Sequence, residues 1–273
     1  MNGIKDGPDA ALRQAAPWIE RLARVGYAAK GVVYLLVGTL AAKAAFGVSG
    51  GRTTDSRGAM REFLGAPYGR TMLGVLAVGL LGYAVWRLVD AWSDAEHPEG
   101  GLKRIPVRLG HALTGIVHGG LALTAARFAL GEHDAGGRQV ERLIAFGFDL
   151  PLGRWLVLAV GAGVVLYGVV QVGRALMTDV CKRLTIAHLG ADACRNVSLL
   201  SRFGIAARGV VFASIGVLVV RAALRYDPNQ AGGIDKGLRN LPDGWVFALV
   251  ALGLAAYGCY ELAQAKYRRI RPV

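Results

Sequence analysis

The composition of this 273-residue chain excludes an ordinary water-soluble protein, because 53% of the residues are hydrophobic, only 19% are charged and the mean hydropathy is +0.39. A formal net charge of +13 would also suit a nucleic-acid-binding protein. The basic residues, however, flank apolar segments instead of forming one continuous patch. We therefore predict an integral membrane protein whose basic loops contact membrane lipids, and no nucleic-acid partner.

Six apolar segments follow one another along the chain, and most approach the roughly 20 residues that a helix needs to cross a bilayer. They cover residues 22–46, 71–86, 109–126, 155–172, 209–220 and 245–260. Lys and Arg flank the first and fifth segments closely, and their long side chains are expected to extend to the membrane interface. The sequence predicts an all-α integral membrane protein with six transmembrane helices.

The six segments form three two-helix repeats, because three sequence marks recur in one register. Each odd segment opens with Arg-x-Gly, each connection to the even segment contains Pro-x-Gly, and each even segment contains Gly-x-x-x-Tyr. The spacing is 84 positions for each of three pairs: Arg24 and Arg108, Pro67 and Pro151, and Tyr83 and Tyr167. We expect a pseudo-threefold bundle.

The connections between these helices contain amphipathic stretches. Residues 59–64, 140–144 and 236–239 are each expected to form a short interfacial helix on the side opposite the N-terminus. Residues 182–189 are expected to form an amphipathic helix on the cytoplasmic surface. Cys181, Cys194 and Cys259 show no disulfide framework, and we interpret all three as structural thiols.

Several of these stretches resemble a known family. The residues that carry the resemblance are 204–212, the Pro-x-Gly turns, 253–258 and the basic end at 267–269. They are similar to those of an uncharacterised bacterial multi-pass membrane protein family, a domain of unknown function with three tandem two-helix repeats. The resemblance implies the fold and a bacterial inner-membrane location, and it implies no activity, substrate or cofactor. The middle repeat departs from the pattern at Thr114, where the others have Lys30 and Arg208.

The predicted organisation follows from these repeats and from the distribution of basic residues. Of the 32 Lys and Arg residues, 19 fall on the side of the N-terminus and 13 on the other, which favours cytoplasmic termini in the plasma (inner) membrane. The parts are a cytoplasmic tail (1–21), repeat 1 (22–94), repeat 2 (102–179), a cytoplasmic amphipathic linker (180–199), and repeat 3 with a basic tail (200–273).

Small residues recur every seven positions along the odd helices and therefore fall on nearly one helix face. In the first helix this face contains Arg24, Gly31 and Gly38. Such glycines let membrane helices approach closely. The cations near these faces are candidate seam cations: Arg24, Lys30, Arg108, Arg202 and Arg208.

The even helices place a glycine, a tyrosine and a polar residue at positions i, i+4 and i+8, on one face. This pattern predicts a polar layer that meets the seam arginines Arg24, Arg108 and Arg202. The layer consists of Tyr83, Arg87, Tyr167, Gln171, Tyr257 and Glu261. Glu261 is the only acid that we assign to a span or its edge, and a carboxylate there requires a partner. The expected partner is Arg87, Arg24 or Arg202.

The sequence offers little chemistry beyond this layer. His111 and His118 are seven residues apart, about 10 Å along a helix, which is too far to share a metal ion, so we interpret both as polar packing residues. No catalytic motif is visible, and we predict neither an enzyme nor a cofactor or metal.

The preferred interpretation is transport of a small solute or ion near the tyrosines. The alternative is a non-catalytic scaffold that contacts lipids or partner proteins. Transport predicts a water-accessible cavity between the even helices, whereas a scaffold predicts tight glycine packing. The small-residue faces also permit a homo-oligomer or a membrane-protein partner.

Overall fold

The computed structural model describes residues 7–93, 104–132, 138–177, 180–183, 190–242 and 244–268. Ten α-helices lie within these ranges: α1 (Gly7–Ala45), α2 (Ser56–Glu62), α3 (Gly69–Ser93), α4 (Arg104–Leu130), α5 (Gln139–Phe148), α6 (Gly153–Met177), α7 (Val180–Arg183), α8 (Ala191–Arg225), α9 (Ile234–Arg239) and α10 (Trp245–Tyr267). Six of them, α1, α3, α4, α6, α8 and α10, are long and apolar enough to span a membrane. The predicted all-α, six-span fold is confirmed.

The short helices α2, α5 and α9 fall at the three predicted connections, and a 3-10 turn at Phe63–Gly65 extends the first of them. Each helix docks on the bundle through apolar side chains, since Met60 of α2 and Leu238 of α9 are fully buried. Helix α1 already begins at Gly7, so it continues through most of the predicted tail. The amphipathic helix predicted at 182–189 lies outside the described residues except for the end of α7.

The main helix pairs join different repeats. The even helix of each repeat packs most extensively against the odd helix of the next: α3 against α4, α6 against α8, and α10 against α1. The last helix therefore pairs with the first, and the three pairs occupy equivalent places in a pseudo-threefold arrangement.

Glycines at equivalent positions set the close approach in these pairs. A Cβ atom added to Gly31 would lie 2.9 Å from the carbonyl oxygen of Gly258, and one added to Gly209 would lie 2.8 Å from that of Gly168. At the third interface a Cβ on Gly115 would lie 3.1 Å from the carbonyl oxygen of Ala84. The predicted packing role of the seam glycines is confirmed.

Contacts within a repeat are present in the first and third repeats, where α1 packs on α3 and α8 packs on α10. There, a Cβ on Gly26 would lie 2.8 Å from Cα of Tyr83, and one on Gly204 would lie 2.6 Å from Cα of Tyr257. The equivalent Gly110 of α4, like Gly163 of α6, has no described atom within 4 Å of such a Cβ. Among the described residues, the middle repeat thus lacks a comparable contact, and we call the gap between α4 and α6 the lateral opening.

The same substitution should therefore have opposite effects in two repeats. Gly26→Ala should lower the free energy of unfolding by about 1–3 kcal/mol, because the backbone of Tyr83 leaves no room for a methyl group. Gly110→Ala should be neutral or stabilising by up to about 1 kcal/mol, because alanine favours a helix over glycine. Thermal unfolding of the two purified variants in detergent measures this difference, and equal effects would contradict the asymmetry.

Candidate functional site

A buried ion pair joins α1 to α10 in the interior of the bundle. Lys30 Nζ donates to Glu261 Oε1 at 2.7 Å and to the hydroxyl of Tyr257 at 2.9 Å, and the two charged side chains are 7% and 1% exposed. The close contact of Gly31 with Gly258 lets the two helices approach near this pair. The partner of Glu261 is therefore Lys30 and not one of the predicted arginines. The Lys30 side chain remains inside the bundle instead of extending to the interface.

Tyrosine side chains from two even helices surround the lysine. The hydroxyl of Tyr83 lies 3.5 Å from Lys30 Nζ, and the ammonium group lies 5.2 Å from the ring centroids of both Tyr83 and Tyr257. Aromatic faces attract cations electrostatically, so the rings stabilise the charge together with Glu261. The two tyrosines are buried, and the structure brings both of them to the predicted layer.

A second polar cluster continues from Tyr83 along α3 to α4. Arg87 Nε donates to the Tyr83 hydroxyl at 3.1 Å, and Arg87 Nη1 lies 3.1 Å from Asp90 Oδ2. His111 Nδ1 lies 2.8 Å from the same oxygen of Asp90, whose side chain is 1% exposed. Glu261 is thus not the only acid inside a span, because Asp90 lies within α3 and not in the link after it. Its spacing of three residues from Arg87 was the signal that could have identified it.

Arg208, which is equivalent to Lys30 in the third repeat, has neutral partners. Its guanidinium donates to the hydroxyls of Tyr34 at 3.3 Å and Tyr167 at 3.4 Å, and lies 4.7 Å and 5.0 Å from the ring centroids of Phe212 and Tyr257. Within the described part of the chain it pairs with no carboxylate. Arg208 therefore contributes a positive charge whose hydrogen-bond and ring partners, in the described part of the chain, are tyrosine hydroxyls and aromatic rings.

The predicted polar layer is consequently asymmetric. Tyr83, Arg87, Tyr257 and Glu261 lie together around Lys30. Tyr167, by contrast, is 43% exposed, and its hydroxyl accepts a hydrogen bond from the neighbouring Gln171 side chain at 3.2 Å. These two residues lie on α6, one wall of the lateral opening, so the layer is closed only where the first and third repeats meet.

Three aromatic contacts repeat with the bundle symmetry. An aromatic residue of each odd helix packs edge-on against the tyrosine of the preceding even helix. The ring centroids are 4.8 Å apart for Tyr34 and Tyr257, 4.7 Å for His118 and Tyr83, and 5.4 Å for Phe212 and Tyr167. His118 belongs to this set and bonds through Nδ1 to its own helix at Thr114 O, 2.8 Å away. This histidine is a packing residue, as predicted.

Two of the seam arginines, Arg24 and Arg108, bind helix ends. Arg24 Nη1 donates to the carbonyl oxygens of Ala265 and Lys266 near the end of α10, at 3.0 and 2.8 Å. Arg108 binds the end of α3 in the same way, through the carbonyl oxygens of Ala91 and Trp92 at 2.7 and 3.0 Å. The last carbonyl groups of a helix lack intrahelical donors and attract cations. The expectation that these arginines meet the tyrosines was therefore wrong for Arg24 and Arg108.

Thr114 provides a physical reason for the lateral opening. At the equivalent positions Lys30 contacts Tyr83 of its own repeat, and Arg208 lies over the ring of Tyr257 in its own repeat. Thr114 instead donates its hydroxyl to Gly110 O of its own helix at 2.7 Å. The middle repeat lacks the cation that links the two helices in the other repeats.

The cysteines differ from the sequence interpretation. Cys181 and Cys194 form a disulfide with a Cα–Cα distance of 5.7 Å, so the prediction of structural thiols was wrong for these two. Cys259 is a free thiol on an exposed face of α10.

These features define a membrane-spanning protein of three interlocked two-helix repeats around a buried polar core. The chain belongs to the family described as Domain of Unknown Function (DUF1206), which matches residues 25–94, 109–178 and 203–268. It is 30% identical over 272 residues, 98% of both chains, to "Uncharacterized protein YxxB" of Bacillus subtilis (strain 168). No solved structure shows significant similarity to it. The three matches confirm the tandem repeats and the resemblance identified from the sequence.

Removal of one partner of the buried ion pair should be more harmful than removal of both. Lys30→Met should lower the free energy of unfolding by about 3–5 kcal/mol, because it leaves the Glu261 carboxylate buried without its cation. The double variant Lys30→Met with Glu261→Met should recover most of this lost stability. Thermal unfolding in detergent measures both variants. The matched control is Lys236→Met at the more exposed pair of Lys236 with Glu141, which should cost about 1 kcal/mol or less. A double variant as unstable as the single one would contradict this account.

Proposed function

We propose that the protein transports a small solute or ion across the membrane, and that the Lys30–Glu261 pair is the charged site on which transport depends. The observation that carries this proposal is the complete burial of the pair within two spans. In addition, Glu261 Oε2 accepts no hydrogen bond from the described residues. This oxygen is therefore available to a proton, a cation or a donor group of the solute.

Stability alone gives a poor account of these charges. Ionisable groups inside a membrane are costly, and well-packed apolar residues often replace a buried ion pair without loss of stability. The bundle nevertheless contains Asp90 and Arg87 as well as Lys30 and Glu261. A transport site requires such groups, because they exchange partners when a proton or solute binds.

The contacts also link the two acids through one continuous chain of polar groups. Asp90 contacts Arg87, Arg87 donates to Tyr83, and Tyr83 lies 3.5 Å from Lys30, which pairs with Glu261. This chain crosses α3, α1 and α10. A change of protonation or partner at Glu261 frees Lys30 to bind Tyr83 more strongly, so the three helices respond together. In this proposal the protein is a transporter and not an enzyme.

Tight glycine packing is the feature predicted for the second candidate, a non-catalytic scaffold, whereas transport predicted a water-accessible cavity between the even helices. Gly31 with Gly258, and Gly209 with Gly168, bring backbones together without intervening side chains. A rigid bundle of this kind suits a protein that organises lipids or membrane partners. The ion pair would then only lock α1 to α10.

Flux through sealed liposomes distinguishes the two candidates. Purified wild-type protein should dissipate a proton gradient, reported by an enclosed pH dye, or exchange an ion from a tested panel. Glu261→Gln should reduce the rate of flux at least tenfold, because it replaces the ionisable carboxyl group by a neutral amide of similar shape. Glu141→Gln is the matched control, since Glu141 also pairs with a lysine but on α5, outside the spans.

Folding must be measured in the same samples by size-exclusion chromatography and thermal unfolding. A folded Glu261→Gln variant with wild-type flux would contradict the assignment of the site. Absence of flux from wild type across the panel would favour the scaffold.

We also propose that both termini are cytoplasmic and that the membrane is the plasma (inner) membrane, because more Lys and Arg residues lie on the side of the N-terminus. The link that contains Cys181 and Cys194 lies on that side, where the reducing cytosol would open their disulfide to two thiols. In a Cys259→Ser background treated with a membrane-impermeant reductant, a membrane-impermeant maleimide should label inside-out vesicles and leave intact cells unlabelled. Labelling of intact cells would reverse the orientation.

A further inference from the structure

A cation of α8, Arg208, lies beside the lateral opening. Gly110 and Gly163 line the opening and have no described atom within 4 Å of an added Cβ. Tyr167 lies one helical turn from Gly163 on the same face of α6. Arg208, which is half-buried, donates through Nη1 to the hydroxyl of Tyr167, whose side chain is 43% exposed. The guanidinium of Arg208 therefore reaches the opening.

The register of the repeats explains why this cation has no acidic partner among the described residues. Lys30 pairs with Glu261, which lies on the even helix of the preceding repeat in the cyclic order. The equivalent residue for Arg208 is Gln171, which is neutral and donates to Tyr167. The third repeat thus has the cation of this arrangement, whereas the second repeat has no carboxylate at the position of Glu261.

Arg208 lies within the span, six residues or about 9 Å along the helix axis from Arg202. Because helical side chains lean toward the N-terminus of their helix, its guanidinium extends from the apolar region toward the headgroups at the end of α8 that contains Arg202. Apolar side chains of α4 and α6 beside the opening are exposed, among them Leu113, Val117 and Leu166. In a membrane these faces contact acyl chains.

We propose that the lateral opening binds one membrane lipid with an anionic phosphate headgroup, such as a phosphatidylglycerol. The phosphate accepts hydrogen bonds from the guanidinium of Arg208, a geometry that suits two parallel bonds. One acyl chain lies along the faces of α4 and α6 that Gly110 and Gly163 leave flat. The site does not depend on transport, since it requires only the opening and the cation.

A second copy of the chain fits this site less well. Neither α4 nor α6 contains an Asp or Glu residue, so the same faces of another copy would offer Arg208 no anion. An anionic lipid supplies both the negative charge and the apolar chain that the opening requires.

Electron paramagnetic resonance of spin-labelled lipids tests the site. Wild-type protein in phosphatidylcholine nanodiscs should immobilise spin-labelled phosphatidylglycerol about tenfold more strongly than spin-labelled phosphatidylcholine, the effect expected for one charge-assisted contact. Arg208→Gln should abolish this preference. Arg225→Gln, which removes an exposed cation at the other end of α8, should keep it.

A second variant addresses the opening itself. Gly163→Leu places a side chain in the opening where no described atom obstructs it, so it should fold and reduce the immobilised fraction of phosphatidylglycerol severalfold. Gly74→Leu is the control, because Gly74 of α3 is equally unobstructed but lies away from the opening.

Four outcomes would overturn the proposal. The first is an unchanged preference in Arg208→Gln, the second is an unchanged immobilised fraction in Gly163→Leu, and the third is complete displacement of the labelled lipid by inorganic phosphate. Cross-linking of two copies through α4 and α6 in place of lipid binding would equally overturn it.

Discussion

The contact between the first and last transmembrane helices supports the rest of this structure. Gly31 and Gly258 bring α1 and α10 so close together that Lys30 and Glu261 meet away from solvent. Helix α3 packs on α4, and α6 packs on α8. The contact of α10 with α1 completes this set of three equivalent helix pairs. Without it the polar core would open, because Lys30 contacts both Tyr83 and Tyr257.

The three repeats share a backbone plan and differ in charge. At two aligned sets of positions the middle repeat has a neutral residue: Thr114 where the others have Lys30 and Arg208, and Gln171 where the others have Arg87 and Glu261. These neutral residues leave α4 and α6 without the polar link of the other repeats, and they leave Arg208 without an acidic partner among the described residues. The lateral opening and the unbalanced cation thus have a common origin.

Much of the fold could be predicted from the sequence, because apolar length and repeated glycines are local properties. The partners of the charged residues could not. The register of the repeats places Lys30 and Arg24 on neighbouring turns of α1. The crossing of α1 with α10 then decides that Lys30 reaches Glu261 and that Arg24 reaches the carbonyl groups near the end of α10. Asp90 was assigned to a link because α3 extends about two turns further than its apolar stretch.

The separation of Lys30 and Glu261 along the sequence has a consequence for biosynthesis. The two residues are 231 positions apart, so α1 enters the membrane long before its acidic partner has been translated. Until α10 arrives, the Lys30 amine has no carboxylate from that helix, and the first repeat cannot reach its final packing. Assembly is therefore completed only when the last helix inserts. A chain that stops before α10 retains an unpaired charge in its first span, a feature by which the cell can distinguish an incomplete product from a complete one.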